Sequence, residues 1–128
     1  MQLDFDKLDG LVPAIVQEAA TGEVLMLGFM NRAALDQTFQ AGNVTFYSRS
    51  RKKLWTKGET SGHFLRLVEL RFDCDADAVL ARVELVGPGA CHEGYRSCFF
   101  RRLAPGGEVT VVAERAYDPA GVYRENRQ

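Results

Sequence analysis

Residues 11–42 read LVPAIVQEAATGEVLMLGFMNRAALDQTFQAG, two apolar runs followed by a helical segment, and this stretch sets the fold class. The runs LVPAIV and VLMLGFM flank a polar turn centred on Thr21 and Gly22, which is the pattern of a β-hairpin. Asn31 is placed to cap a helix over Arg32 to Gln40. Ala33, Ala34, Leu35 and Phe39 give that helix a short apolar face, and Gly42 ends it.

Outward from this stretch the pattern is one of strands. Val44 to Ser48 (VTFYS) favours a strand, and Phe64 to Phe72 (FLRLVELRF) alternates apolar and charged residues as a half-buried strand does. Val79 to Val86 is a further strand, broken by Gly87, Pro88 and Gly89. After Cys98, FFRRL and VTVVAERAY form two more, joined by APGGE. The expectation is a β-rich α+β fold of short antiparallel strands with one main helix and no helices placed for parallel crossovers. Residues 1–128 read as a single domain, with a polar tail from about Asp118 that is loose at its end.

The formal net charge of −1 gives no global attraction to nucleic acid or to an anionic membrane. The opening MQLDFDKLDG carries acids where a secretory signal has basic residues and a long apolar run, and no run approaches a bilayer span. A cytoplasmic placement is expected. Three cysteines cannot all pair within one chain, so thiols held for a metal or for packing fit better than a disulfide framework.

The chemistry concentrates in residues 73–98, DCDADAVLARVELVGPGACHEGYRSC, which hold every cysteine. Soft thiolates select zinc-like ions and carboxylates select magnesium or calcium, so two metal sites are expected. If Asp73 to Asp77 runs extended, Asp73, Asp75 and Asp77 share one face and Cys74 points to the other. Cys74 then reaches Cys91 and Cys98 only across a subunit interface. Three thiolates leave a fourth position for water, as catalytic zinc sites do. His92 is a fourth ligand, a general base or a substrate contact; Glu93 is an alternative proton shuttle, and His63, beside Phe64, has the weaker case. The loop GETSGH, after a run containing Arg49, Arg51, Lys52, Lys53 and Lys57, suits a phosphate, and Trp55 suits either stacking on a base or the core.

Taken together, FDKLDGLVPAIVQ, TGEVLMLGFMN, FYSRSRKKLWTKGETSGH, DCDADA and GACHEGYRSCF, in this order over about residues 4–100, resemble the phosphoribosyl-AMP cyclohydrolase family of histidine biosynthesis. The resemblance implies a small, β-rich, intertwined homodimer. It also implies a cyclic amidine hydrolase that opens the adenine ring of phosphoribosyl-AMP between N1 and C6 by zinc-activated water. A fused phosphohydrolase would need far more sequence than follows residue 100, so a monofunctional enzyme is expected.

By position, the resemblance makes Cys74, Cys91 and Cys98 the zinc ligands, one ion per subunit with Cys74 lent by the partner subunit, and Asp73, Asp75 and Asp77 the magnesium ligands. His92 becomes the first candidate for general acid and base. Lys57, Glu59, Thr60, Ser61 and Gly62 become the substrate loop, with Arg49, Arg51 and Trp55 as further contacts to a phosphorylated nucleotide. The sequence departs from the family pattern at Leu85, where glutamine is common, and at Glu93, where threonine is common. Two rival readings are another zinc-dependent nucleotide hydrolase and a zinc-stabilised module that grips nucleic acid through Trp55 and the basic loop.

Overall fold

The computed structural model describes residues 2–123. The expected hairpin is present: β1 (Val12–Glu18) and β2 (Val24–Met30) pair antiparallel, with Val12 opposite Met30 and Gln17 opposite Val24. Gly22 turns the corner at a φ of 81°, a left-handed conformation that explains glycine there. The helix α1 (Arg32–Ala41) starts where the cap predicts, because the Asn31 side chain accepts from the Ala34 amide at 2.8 Å. It stops at Gly42, whose left-handed backbone donates to the Thr38 carbonyl.

The buried face of α1 differs from expectation. Ala34, Leu35 and Thr38 are buried, while Ala33 is exposed and Phe39 is 57% exposed. Thr38 displaces Phe39 because its hydroxyl serves two elements at once: it donates to the Ala34 carbonyl at 2.8 Å and accepts from the Thr45 amide at 2.9 Å. The helix is thereby tied to the strand that follows it, β3 (Thr45–Ser48).

The main sheet has the order β2-β1-β6-β5, with β5 (Leu65–Phe72) and β6 (Val79–Leu85) antiparallel. One pairing corrects the all-antiparallel expectation, since β1 and β6 run parallel with Ala14 opposite Val79 and Glu18 opposite Val83. The crossover is made by β2, α1 and the strands after it rather than by one helix. What favours it is the match of two inner rows: Val12, Ala14 and Val16 lie beside Val79, Ala81 and Val83, all essentially without exposure. Side by side these rows make one apolar floor.

The helix and a second hairpin, β3 with β4 (Lys53–Thr56), pack from β2. Phe46 of β3 lies so close to Gly28 of β2 that a Cβ there would come within 2.5 Å of the ring. Phe46 also meets Trp55 at 5.1 Å between centroids. Truncating this buried ring to alanine costs roughly 3–5 kcal/mol. The basic run therefore contains a strand that periodicity did not announce, because only its adjacent Trp55 and Thr56 are even partly buried and no alternation shows.

Beyond Phe100, β7 (Arg101–Leu103) and β8 (Val109–Val111) form a short hairpin, and every residue of both strands is exposed. The second strand is shorter than VTVVAERAY suggests. A five-residue helix, α2 (Pro119–Tyr123), occupies the start of the tail read as loose, whose end lies outside the described residues. Among the described residues no helix is long and apolar enough to cross a membrane.

Candidate functional site

The acidic segment sits between β5 and β6 and is a turn, not an extended run. Ala76 takes a φ of 58°, and the Asp73 carboxylate folds back to accept from the amides of Asp77 at 3.0 Å and Ala78 at 3.2 Å. The alternation expected of Asp73 to Asp77 is thus corrected. Backbone donors just ahead of the second strand recruit the first aspartate, and the chain reverses around it. The three carboxylates converge nonetheless, with one oxygen from each of Asp73, Asp75 and Asp77 within 4.8 Å of the others. Cys74 is not segregated from them, since its thiol lies 3.8 Å from an Asp75 oxygen.

Lys7 reaches this turn from the N-terminal segment and donates to Asp77 at 2.9 Å. That hydrogen bond, helped by one from Asp73, holds the Asp77 carboxyl below its ordinary range, and Lys7 is raised in return. Three neighbouring carboxylates suit a hard cation such as magnesium, with water completing its shell.

The other two cysteines lie on a tight loop. The Ala90 and Cys91 amides donate to the carbonyls of Arg96 and Tyr95, at 2.9 and 3.1 Å, and Gly94 reverses the chain at a φ of 99°. Its far end is fastened to the β1–β2 hairpin. Arg96 pairs with Glu18 at 2.6 Å and with Glu23 at 3.2 Å, the Ser97 hydroxyl donates to the Val24 carbonyl, and the Cys98 amide donates to the Leu25 carbonyl at 2.7 Å. Burial alone would raise Glu18, but hydrogen bonds from Thr21 and Arg96 hold it below its ordinary value.

This anchoring brings Cys98 beside Cys91, which is buried. Cys98 is an exposed residue, yet partial burial beside this loop pushes its thiol up to about 11, the neighbouring Cys91 adds to the rise, and the Lys57 charge opposes it. The Glu93 amide points at the Cys91 sulfur at 3.4 Å, a donor suited to a thiolate. Two adjacent sulfurs with an amide donor fit a zinc-like ion. Among the described residues the three thiols do not come together within one chain: Cys74 is exposed on the acidic turn, away from this pair.

Next to the thiol pair is a polar cleft of about 390 Å³. Arg51, Trp55, Lys57, Glu59, Thr60 and Ser61 line it together with His92, so most of the expected substrate contacts share one cavity. The GETS loop is held tight by Gly58, where an added Cβ would stand 2.7 Å from the backbone of His63 and Phe64. Gly62 shapes the turn at a φ of 81° without lining the cleft. Arg49 is elsewhere: it stacks over Phe29 at 4.3 Å and lines a neighbouring cavity of about 350 Å³. Trp55 packs on Phe46, as its core reading expects, and borders both cavities.

His92 is exposed at the cleft, whereas His63 is buried, with Nδ1–H donating to the Gly89 carbonyl at 3.1 Å. Glu93 faces Arg101 at 3.5 Å. Leu85 packs on the core opposite Leu65. Sequence reasoning missed Ser48 and Thr56 as cleft residues; no sequence signal marks them, and it is the β3–β4 pairing that brings them to the cleft.

The sequence model of the family described as phosphoribosyl-AMP cyclohydrolase matches residues 26–100. Proteins named phosphoribosyl-AMP cyclohydrolase from three bacteria are similar over nearly their whole lengths. That of Solibacter usitatus is 58% identical over 96% of this chain and 97% of its own. That of Pelotomaculum thermopropionicum is 54% identical over 96% and 98%, and that of Desulforapulum autotrophicum is 52% identical over 97% and 99%.

Proposed function

The chain belongs to the phosphoribosyl-AMP cyclohydrolase family, and from that membership we propose that it hydrolyses the N1–C6 bond of the adenine ring of 1-(5-phosphoribosyl)-AMP in histidine biosynthesis. One observation carries the proposal: basic strand, GETS loop and His92 meet in a single cleft, and Lys57 and His92 connect it to the thiol pair. The relatives are matched almost end to end, which supports a monofunctional enzyme.

The phosphoribosyl group on N1 makes the ring amidinium-like and C6 electrophilic. Water adds its oxygen to C6, the C6–N1 bond breaks, and N1 leaves with a proton. Arg51 and Lys57 neutralise phosphate at the cleft, and the hydroxyls and amides of Thr60 and Ser61 orient it. Trp55 offers a face for the purine. His92 stands at the cleft wall next to Cys91 in sequence, in place to take the proton from water and return it to N1. Zinc held by Cys91 and Cys98 would supply Lewis acidity and a nucleophilic water at neutral pH. Asp73, Asp75 and Asp77 would hold magnesium, which neutralises substrate phosphate.

The zinc site is completed by Cys74 of a second copy, one ion per subunit, in an intertwined homodimer. Two features support this: the exposed Cys74, and the wholly exposed β7–β8 hairpin, where Leu103 is 73% and Val109 61% exposed. An isolated two-stranded hairpin is marginal in water, so a covering partner is expected.

The test is phosphoribosyl-AMP ring opening, measured with metal content, on wild type and Cys91→Ser. The expected variant lacks both zinc and turnover; full turnover without zinc contradicts the mechanism. Pyrophosphohydrolase activity towards phosphoribosyl-ATP is expected to be absent.

A further inference from the structure

The turn that carries Cys91 and His92 is held from behind by a segment outside residues 26–100, the family match. The Tyr117 hydroxyl donates to the Cys91 carbonyl, Arg115 Nε donates to the Glu93 carbonyl at 2.9 Å, and the amides of Ala116 and Tyr117 donate to the Gly94 carbonyl at 2.7 and 3.2 Å. Three carbonyls of a four-residue turn therefore end on three consecutive residues. The fit is close, because a Cβ on Gly94 would stand 2.6 Å from the Tyr117 carbonyl oxygen.

The same tyrosine ring meets His63 edge-on at 4.8 Å, and His63 donates to the Gly89 carbonyl. A Cβ on Gly87 would stand 2.7 Å from the His63 ring, which leaves that ring little room to turn. Tyr117 and His63 thus grip the chain on either side of Ala90, and neither lines the substrate cleft.

We infer that Tyr117, with His63 behind it, is a positioning residue: the pair brackets residues 89–94 and presets Cys91 and His92 for their partners before metal or substrate arrives. The inference rests on the reading of Cys91 as a zinc ligand and His92 as the proton-moving group. An outer contact that fixes a ligand's backbone changes how readily the ligand yields its metal, and a small drift of an acid–base group slows chemistry more than binding.

The test compares wild type with Tyr117→Phe, which removes only the hydroxyl, and with Arg115→Ala at an exposed position. In metal-free protein, the amides of Ala90, Cys91 and Gly94 exchange faster in both variants while those of β1 and β6 do not. In zinc-loaded protein, release to a chelator accelerates about tenfold in Tyr117→Phe. The kcat falls by roughly tenfold with KM within about twofold. Exchange at the turn equal to wild type overturns the inference, as does a rise spread evenly over the sheet. Should wild type hold no zinc, the metal reading fails by itself, and exchange in the metal-free protein still decides the bracket.

Discussion

The thiol loop and the acidic turn are both proposed metal sites, yet they are built in opposite ways. The acidic turn is local: six residues supply its carboxylates and the backbone donors that fold it, and it stands in solvent with Lys7 as counter-charge. The thiol loop is tertiary, tied to β1 and β2 through Arg96, Ser97 and Cys98 and to the C-terminal segment through Tyr117. A hard ion that takes part of its shell from water suits a local cradle of carboxylates, whereas the backbone carrying Cys91 and Cys98 is oriented by contacts from distant elements. The first site is complete in one chain. The second lacks its third thiol.

This contrast is sharpest where the buried loop loses a ligand. Cys91→Ser is expected to abolish measurable turnover and to weaken zinc by more than the ~10–100-fold of an outer-shell change, read by metal analysis after dialysis. Zinc retained at wild-type affinity would erase the distinction between the two regions. His92→Ala comes next: kcat falls by about 10²–10⁴-fold with zinc content unchanged, which separates the proton-moving role from ligation. If zinc leaves with the imidazole, His92 is a ligand instead.

On the acidic side the effects are smaller and divide by residue. Asp73→Ala removes the acceptor of two backbone amides and is expected to cost ~1–2 kcal/mol of stability as well as magnesium activation. Asp75→Asn should weaken magnesium activation while leaving stability within about 0.5 kcal/mol. Equal losses of stability in urea melts would mean that the turn is not organised around Asp73.

The smallest effect concerns the anchor of the thiol loop. Glu18 is held below its ordinary value of 4.5, so its contribution is present above that pH and is lost as pH falls through the lowered folded value. Glu18→Gln is therefore expected to flatten the decline of the unfolding free energy below about pH 5, read from urea melts, by about 0.5 kcal/mol. An unchanged acid limb would remove Arg96–Glu18 from the list of anchors.

Local punctuation in the sequence carried much of the fold. Gly22, Asn31 and Gly42 each act at the position they occupy, and a residue's own backbone preference needs no distant information. The parallel β1–β6 pair was hidden because 60 residues separate Glu18 from Val79 and only shared burial pairs them. The acidic cluster was legible as composition and misread as geometry, since alternation assumes a strand and Asp73 captures the following amides first. Phe39 and Thr38 show the same limit: hydrophobicity favoured the ring, and a hydrogen bond to β3 decided for the hydroxyl. Nothing in the sequence near Tyr117 points to Cys91.

The central claim is that the zinc site is made by two copies of the chain, and complementation tests it most directly. Cys74→Ser and Cys91→Ser chains are each prepared inactive, then co-refolded in equal amounts and assayed for phosphoribosyl-AMP ring opening with bound zinc. If the site is shared, half of the dimers are mixed and each holds one intact site, so activity and zinc return to about a quarter of wild type. No recovery in mixed dimers shown to have formed would mean that all three thiols act within one chain, and the account would be wrong.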